Sequence, residues 1–196
     1  MLELPLIQPR GPKERADAAR NRMRILEAAG ALVAEQGIEC VSMDDVARAA
    51  SVGTGTLYRR FGDRAGLAFA LLDEQTREFQ DALIFGPPPL GPGAPAIERL
   101  KAFGEGYLDL METHSALMVA AAPSGKEADG PYSLYTTHLA ILLREAAPQL
   151  DAQYTAEALL AMLAPAHHMR MRGGLGWSLD RMRAGWDGLV EAIAGA

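Results

Sequence analysis

Ser42-Met43-Asp44-Asp45-Val46-Ala47-Arg48-Ala49-Ala50-Ser51-Val52-Gly53-Thr54-Gly55-Thr56-Leu57-Tyr58-Arg59-Arg60-Phe61-Gly62-Asp63-Arg64 is the stretch on which the fold turns. It predicts two short helices joined by a tight turn. Ser42 can cap the first helix and Asp45, three residues on, completes a capping box; Asp44 and Asp45 also lie beside the positive end of the helix dipole. Met43, Val46, Ala47 and Ala50 form its apolar stripe. Gly53 can start the second helix, Thr54, Gly55 and Thr56 fill its first turn, and Leu57 and Phe61, spaced i and i+4, turn to the core. Its outward face is left to Thr54, Thr56, Tyr58, Arg59 and Arg60. Hydroxyls and guanidinium groups on one short exposed helix suit phosphates and base edges, so the pattern is that of a DNA-reading helix-turn-helix.

The run Val52-Gly53-Thr54-Gly55-Thr56-Leu57-Tyr58-Arg59-Arg60-Phe61 resembles the recognition-helix signature of the tetracycline-repressor (TetR) family of bacterial transcription regulators. Upstream, Ile25-Leu26-Glu27-Ala28-Ala29 through Glu35-Gln36-Gly37 resembles that family's first helix. Downstream, Asp63-Arg64 followed by Leu67 resembles the start of its fourth. The resemblance covers roughly the first third of the chain and departs from the usual pattern at Ser51, where glycine is common, and at Ala65, where an acidic residue is common. It implies an all-α homodimer of about nine helices. An N-terminal three-helix helix-turn-helix domain would bind operator DNA, and a larger helical domain would bind a small molecule and dimerise.

Carried over residue by residue, the resemblance implies that Thr56 and Tyr58 bond the DNA backbone through their hydroxyls. Arg64 would place a cation near a phosphate, and Ser42 would add another backbone contact. Thr54 and Gly55 fall at the leading end of the recognition helix, where a small residue permits close approach to bases and a threonine methyl can meet thymine. Arg59 or Arg60 can reach guanine or phosphate, and the sequence leaves open which. One reader of this size binds weakly, so a dimer on a near-palindromic operator follows, with half-sites about one turn or slightly more apart.

Net charge of −6 over 196 residues runs against DNA binding only until its distribution is considered. Residues 1–64 hold ten Lys/Arg against nine Asp/Glu, and residues 65–196 hold nine against sixteen. An acidic body behind a locally basic reading face repels DNA everywhere except at that face. Hydrophobic residues make up 49% of the chain with little strand-like alternation, which favours helices. No apolar run reaches the roughly 18 residues needed to span a bilayer, and the Pro-containing start lacks the apolar centre of a signal peptide. The expectation is a cytoplasmic protein without membrane partners. The single Cys40 is expected as a small residue between helices, with a redox switch as the alternative.

The divisions expected are a flexible arm at 1–16, a DNA-binding domain at 17–64 and a ligand-binding and dimerisation domain at 65–196. The arm is either inert or touches DNA. A first helix from near Asp17 to Gln36 places Ile25, Ala28, Ala29, Leu32 and Val33 on one stripe and stops at Gly37. Arg20, Arg22 and Arg24 precede that stripe and either approach phosphates or stay solvated. A fourth helix from after Asp63 to about Ile84 links reader and body, until Gly86-Pro87-Pro88-Pro89 forbids continuation. Further helices are expected over about 96–114, 116–122, 132–147 and 155–172, the last kinked or locally opened at Pro165 and ended by Gly173-Gly174. Ser178 caps a final helix to about Ala194. By analogy with the family, the two final helices pair with their copies as a four-helix interface, which Trp177 and Trp186 either anchor or leave for the subunit's own core.

Phe103, Tyr107, Met111, Met118, Tyr135, His138, Met162, His167 and Met171 offer aromatic, polarizable and polar groups for a mainly apolar pocket, each with ordinary core packing as the alternative. The effector is unidentified. His167 and His168 are adjacent and diverge by about 100° on a helix, so they are not the i, i+4 metal pair. No nucleophile motif, phosphate-binding glycine loop or metal spacing accompanies them, so no cofactor and no catalytic residue is assigned. Against a ligand-responsive repressor stand a helical enzyme using the histidine-bearing body and a dimeric interaction scaffold.

Overall fold

The computed structural model describes residues 12–122 and 131–195, and all regular structure among them is helical. The chain divides into two compact units at Asp63/Arg64. The N-terminal unit contains α1 (Pro12–Gln36), a 3-10 turn (Ile38–Cys40), α2 (Met43–Ala49) and α3 (Thr54–Phe61). The expected helix start near Asp17 is too late. Proline is tolerated at the first position of a helix, where its missing amide hydrogen would have no partner anyway, so α1 begins at Pro12 inside the expected arm. The rest of that arm, residues 1–11, lies outside the described residues. Ile25 and Ala29 of α1 are buried with Val46 and Ala47 of α2 and Leu57 and Phe61 of α3. Gly37, at φ 79°, ends α1 as expected. Cys40 is exposed and not packed between helices, because the 3-10 turn buries Ile38 and turns the cysteine outward.

α2 carries the cap read from the sequence: Asp45 N donates to Ser42 Oγ at 3.1 Å, and the Ser42 hydroxyl donates to Asp45 Oδ2 at 2.5 Å. Its other end is a two-bond turn in which Val52 N reaches Ala47 O at 2.9 Å and Ser51 N reaches Arg48 O at 3.1 Å. That pairing is the Schellman arrangement, and it puts Ser51 in the left-handed region at φ 51°. Glycine meets this demand without steric cost, which gives a physical reason for the family's preference at this position.

The second unit holds α4 (Arg64–Phe85), α5 (Ala96–Ala121), α6 (Pro131–Ala146), α7 (Ala152–Met162), α8 (Pro165–Met169) and α9 (Leu179–Ala194). α5 touches α4, α6, α8 and α9, and α7 packs on α6. Phe103, fully buried on α5, centres an aromatic cluster with Phe79, Tyr107, Tyr135, His138 and Trp186 at centroid distances of 5.6–6.5 Å. Trp186 belongs to this subunit's own core: it is buried, and its indole N–H donates to Leu100 O at 3.0 Å. Trp177 is half-buried with the Arg181 guanidinium 4.0 Å over its ring.

Two helix boundaries differ from expectation. The break near residue 115 does not occur, because no glycine or proline interrupts His114 to Ala121 and Leu117, Met118 and Ala121 keep the buried stripe in phase. At Pro165 the expected helix is not kinked but broken into two. α7 ends at Met162, Ala164 is extended, and α8 starts afresh with Pro165 at its first turn. α8 then widens into a π turn over Arg170–Gly174, closed by Leu175 N to Arg170 O at 3.0 Å. Asp151 and Ser178 cap α7 and α9. The expected loop at 123–131 lies outside the described residues except for Pro131, which opens α6.

Candidate nucleic-acid interface and ligand cavity

α3 turns Leu57 and Phe61 inward, which fixes what faces out. Tyr58 is half exposed, Gly55, Arg59 and Arg60 are exposed, and Thr54 and Thr56 are partly so. Arg59 and Arg60 differ in a way the sequence could not show. Arg60 Nη1 donates to Ala18 O of α1 at 2.8 Å, which ties its guanidinium back across the unit. Ser42 is exposed, but its hydroxyl is engaged by Asp45, whose carboxyl that bond holds below its usual pKa. Gly55 stands in open space: a methyl group there would meet nothing within 4 Å. Arg64 is the exposed first residue of α4.

The three α1 arginines separate as well. Arg22 lies with its guanidinium 5.8 Å over the Phe61 ring, a packing role. Arg20 pairs with Asp17, and Arg24 donates to Asn21 Oδ1 at 3.2 Å. Asp17, Arg20, Asn21 and Arg24 share one concave surface with Val52, Gly53 and Thr56 at the start of α3. Asn21 was not singled out in the sequence, because only the packing of α1 against α3 brings it there.

A cavity of about 250 Å³ lies inside the second unit. α4 contributes Phe69, Leu72, Asp73 and Thr76; α5 contributes Tyr107, Met118 and Ala121. Tyr132 and Tyr135 of α6 and Leu160, Ala161, Ala164 and Pro165 close it. Of the nine pocket residues expected from sequence, Tyr107, Met118 and Tyr135 line this space. Phe103 and Met111 are fully buried in core packing, and His138 stacks on Phe103 at 5.9 Å. Met171 packs half-buried against the core. Met162 and His167 are exposed, while Leu160 and Ala161 take the lining positions. The Tyr135 hydroxyl is buried without a hydrogen-bond partner, and burial pushes its pKa up to about 12. Thr76 donates to Leu72 O at 2.9 Å and accepts from Gln80 at 3.0 Å.

A third polar group joins α5 to the end of α8. Glu112 takes a bidentate pair from Arg172 at 2.6 and 2.8 Å and lies 3.2 Å from His168 Nε2. Arg172 holds the Glu112 carboxyl below its usual pKa, while burial lowers that of His168. Among the described residues no group of His, Cys, Asp and Glu is placed to hold a metal ion, and no helix is long and apolar enough to cross a membrane.

Residues 25–71 match the family model of the bacterial regulatory proteins of the tetR family. A helix-turn-helix-type transcriptional regulator of Staphylococcus aureus (strain bovine RF122 / ET3-1) is 42% identical over 65 residues, 33% of this chain. That match spans about a third of the relative's length, 35%. Among solved structures, a transcriptional regulator from Pseudomonas aeruginosa PAO1 superposes with TM-score 0.65 at 20% identity, over 95% of this chain and 93% of that one. The regulator FadR from Bacillus subtilis, solved in complex with stearoyl-CoA, superposes with TM-score 0.64 at 17% identity, over 89% and 98%. These structures share the fold of both units, whereas the family match covers the helix-turn-helix and only the start of α4. The helix-turn-helix segment thus matches the tetR family of bacterial regulatory proteins, and the helical fold behind it is similar to that of these two solved regulators.

Proposed function

We propose that this protein is a ligand-responsive regulator of transcription, a homodimeric repressor that leaves a near-palindromic operator when a small molecule occupies the cavity of the second unit. One observation carries the reading: a short helix, anchored by Leu57 and Phe61, turns a tyrosine, two threonines and Arg59 outward beside a glycine with open space over it. Placement on phosphates falls to the Tyr58 and Thr56 hydroxyls, with Arg64 as a further backbone contact, whereas the Ser42 hydroxyl is committed to Asp45. Reading of bases falls to Thr54, Gly55 and Arg59. Arg60, bonded to α1, steadies the recognition helix instead. Arg20, Asn21 and Arg24 extend the phosphate-facing surface.

Dimerisation through α8 and α9 is supported by exposed Met169 and Leu175, and by an α9 face of Ala184, Gly185, Gly188 and Ala192 that lets a second helix come close. Occupancy of the cavity would act through α4, which lines it with Phe69 to Thr76 and follows the recognition helix by two residues. A ligand that favours one arrangement of α4 shifts the separation of the two readers. No observation favours the enzyme or the scaffold in the same way. Selection of bound duplexes from a random oligonucleotide pool, followed by anisotropy titration at several salt concentrations, tests the proposal. A two-fold related motif bound with strong salt dependence is the expected result, and failure to enrich any sequence would overturn it.

A further inference from the structure

We propose that the cavity of the second unit takes a lipophilic organic cation, one ammonium-type charge on a compact apolar frame, seated between Asp73 and the tyrosine rings. The inference rests on the ligand-responsive reading above and gives its effector a chemical class. Asp73 is the one charged side chain among the described lining residues, and no lysine, arginine or histidine accompanies it. A buried anion would meet a carboxylate, and a buried cation would be paired by it.

The rest of the lining points the same way. Phe69, Tyr107, Tyr132 and Tyr135 put four aromatic rings around a space of about 250 Å³, and ring faces attract cations most strongly where water is excluded. Tyr132 donates its hydroxyl to Glu157 Oε2 at 2.7 Å, which sets a second carboxylate behind that ring. The Tyr135 hydroxyl, on a residue only 3% exposed, lies near Gln80 and Thr76 but makes no well-formed hydrogen bond, so a polar group on the ligand can engage it. Arg77 is the ion-pair neighbour of Asp73, but at 3.7 Å, with side chains 56% and 40% exposed, that pair is loose and screened. The volume sets the scale: it falls just below the roughly 300–1,000 Å³ common for ligand pockets. A coenzyme A thioester such as the one held by the Bacillus subtilis neighbour brings several phosphates, for which the described lining has no cation.

Calorimetric titration of the full-length protein with benzyltrimethylammonium, phenylpropanol and phenylpropanoate separates the charge types at similar size. Benzyltrimethylammonium is expected to bind about tenfold tighter than either of the others. Asp73→Asn brings it down to the level of phenylpropanol and leaves phenylpropanol itself unchanged. Arg77→Gln, which removes the competing guanidinium, tightens the cation. Equal or tighter binding of phenylpropanoate, cation affinity unaltered in Asp73→Asn, or no binding of the cation would each overturn the assignment. Release of the selected duplex is measured in parallel. Cation binding in the expected order without release upholds the assignment and removes the regulatory reading, whereas release by phenylpropanoate alone does the reverse.

Discussion

Gly55 and Ser51 sit four residues apart and make opposite demands on a side chain. At Gly55 the fold leaves open space, so Gly55→Ala adds a methyl group at no steric cost and gains up to about 1 kcal/mol of helix propensity. Its glycine therefore answers to something outside the folded chain. Gly55→Ala is expected to raise the urea midpoint while weakening operator binding, and unchanged DNA affinity would remove the residue from the base-facing set. Tyr58→Ala should likewise weaken binding at physiological salt and leave the protein folded, as read by anisotropy and sedimentation. Ser51 carries the reverse case. Its left-handed backbone costs a non-glycine residue about 1–2 kcal/mol, against roughly 0.5–1 kcal/mol of extra chain entropy for glycine. Ser51→Gly should then stabilise the protein by about 0.5–1 kcal/mol in urea unfolding, with DNA affinity unaltered. The sequence marked Ser51 as a departure, and only the φ angle gave the reason.

At the scale of helices, the reading unit was legible because its signals are local. Ser42 and Asp45 mark a start, Gly37 marks a stop, and Leu57 and Phe61 share a face within one short segment. The body was less so. Whether Trp186 faced a partner or its own core depended on Gly104 of α5, far off in sequence, where a Cβ would stand 2.0 Å from the indole nitrogen. Gly104→Ala sets about 1 kcal/mol of helix propensity against overpacking of about 1–3 kcal/mol and the indole hydrogen bond to Leu100. The packing cost dominates, and a net loss of about 1–3 kcal/mol in unfolding free energy is expected; a gain would show that α5 and α9 can move apart freely. Three of the nine residues offered for a pocket line the cavity, for a related reason: aromatic and sulfur side chains advertise a pocket and a core alike, and which of them meets the cavity is a tertiary choice.

Across the whole molecule, acid and base sensitivity follow from where the histidines lie. Burial, then the Arg99 guanidinium, lowers His138 from 6.5 to about 4, and burial lowers His114 and His168 as well. Between about pH 6.5 and 4 the unfolded chain binds protons that the folded chain refuses, so stability falls as pH drops through that window. Urea midpoints measured from pH 7 to 4.5 should decline, and less steeply in His138→Phe; identical slopes would remove His138 as a cause. The division of charge between the two parts of the chain was legible in sequence because it needs only counting. Cys40 offers a different kind of use. Because it is the chain's single thiol and sits on the outside of the reading unit, a maleimide dye attached there gives each half of a dimer one fluorophore. Energy transfer between the two labels would then act as a ruler across the pair, reporting in solution whether an effector spreads or closes them.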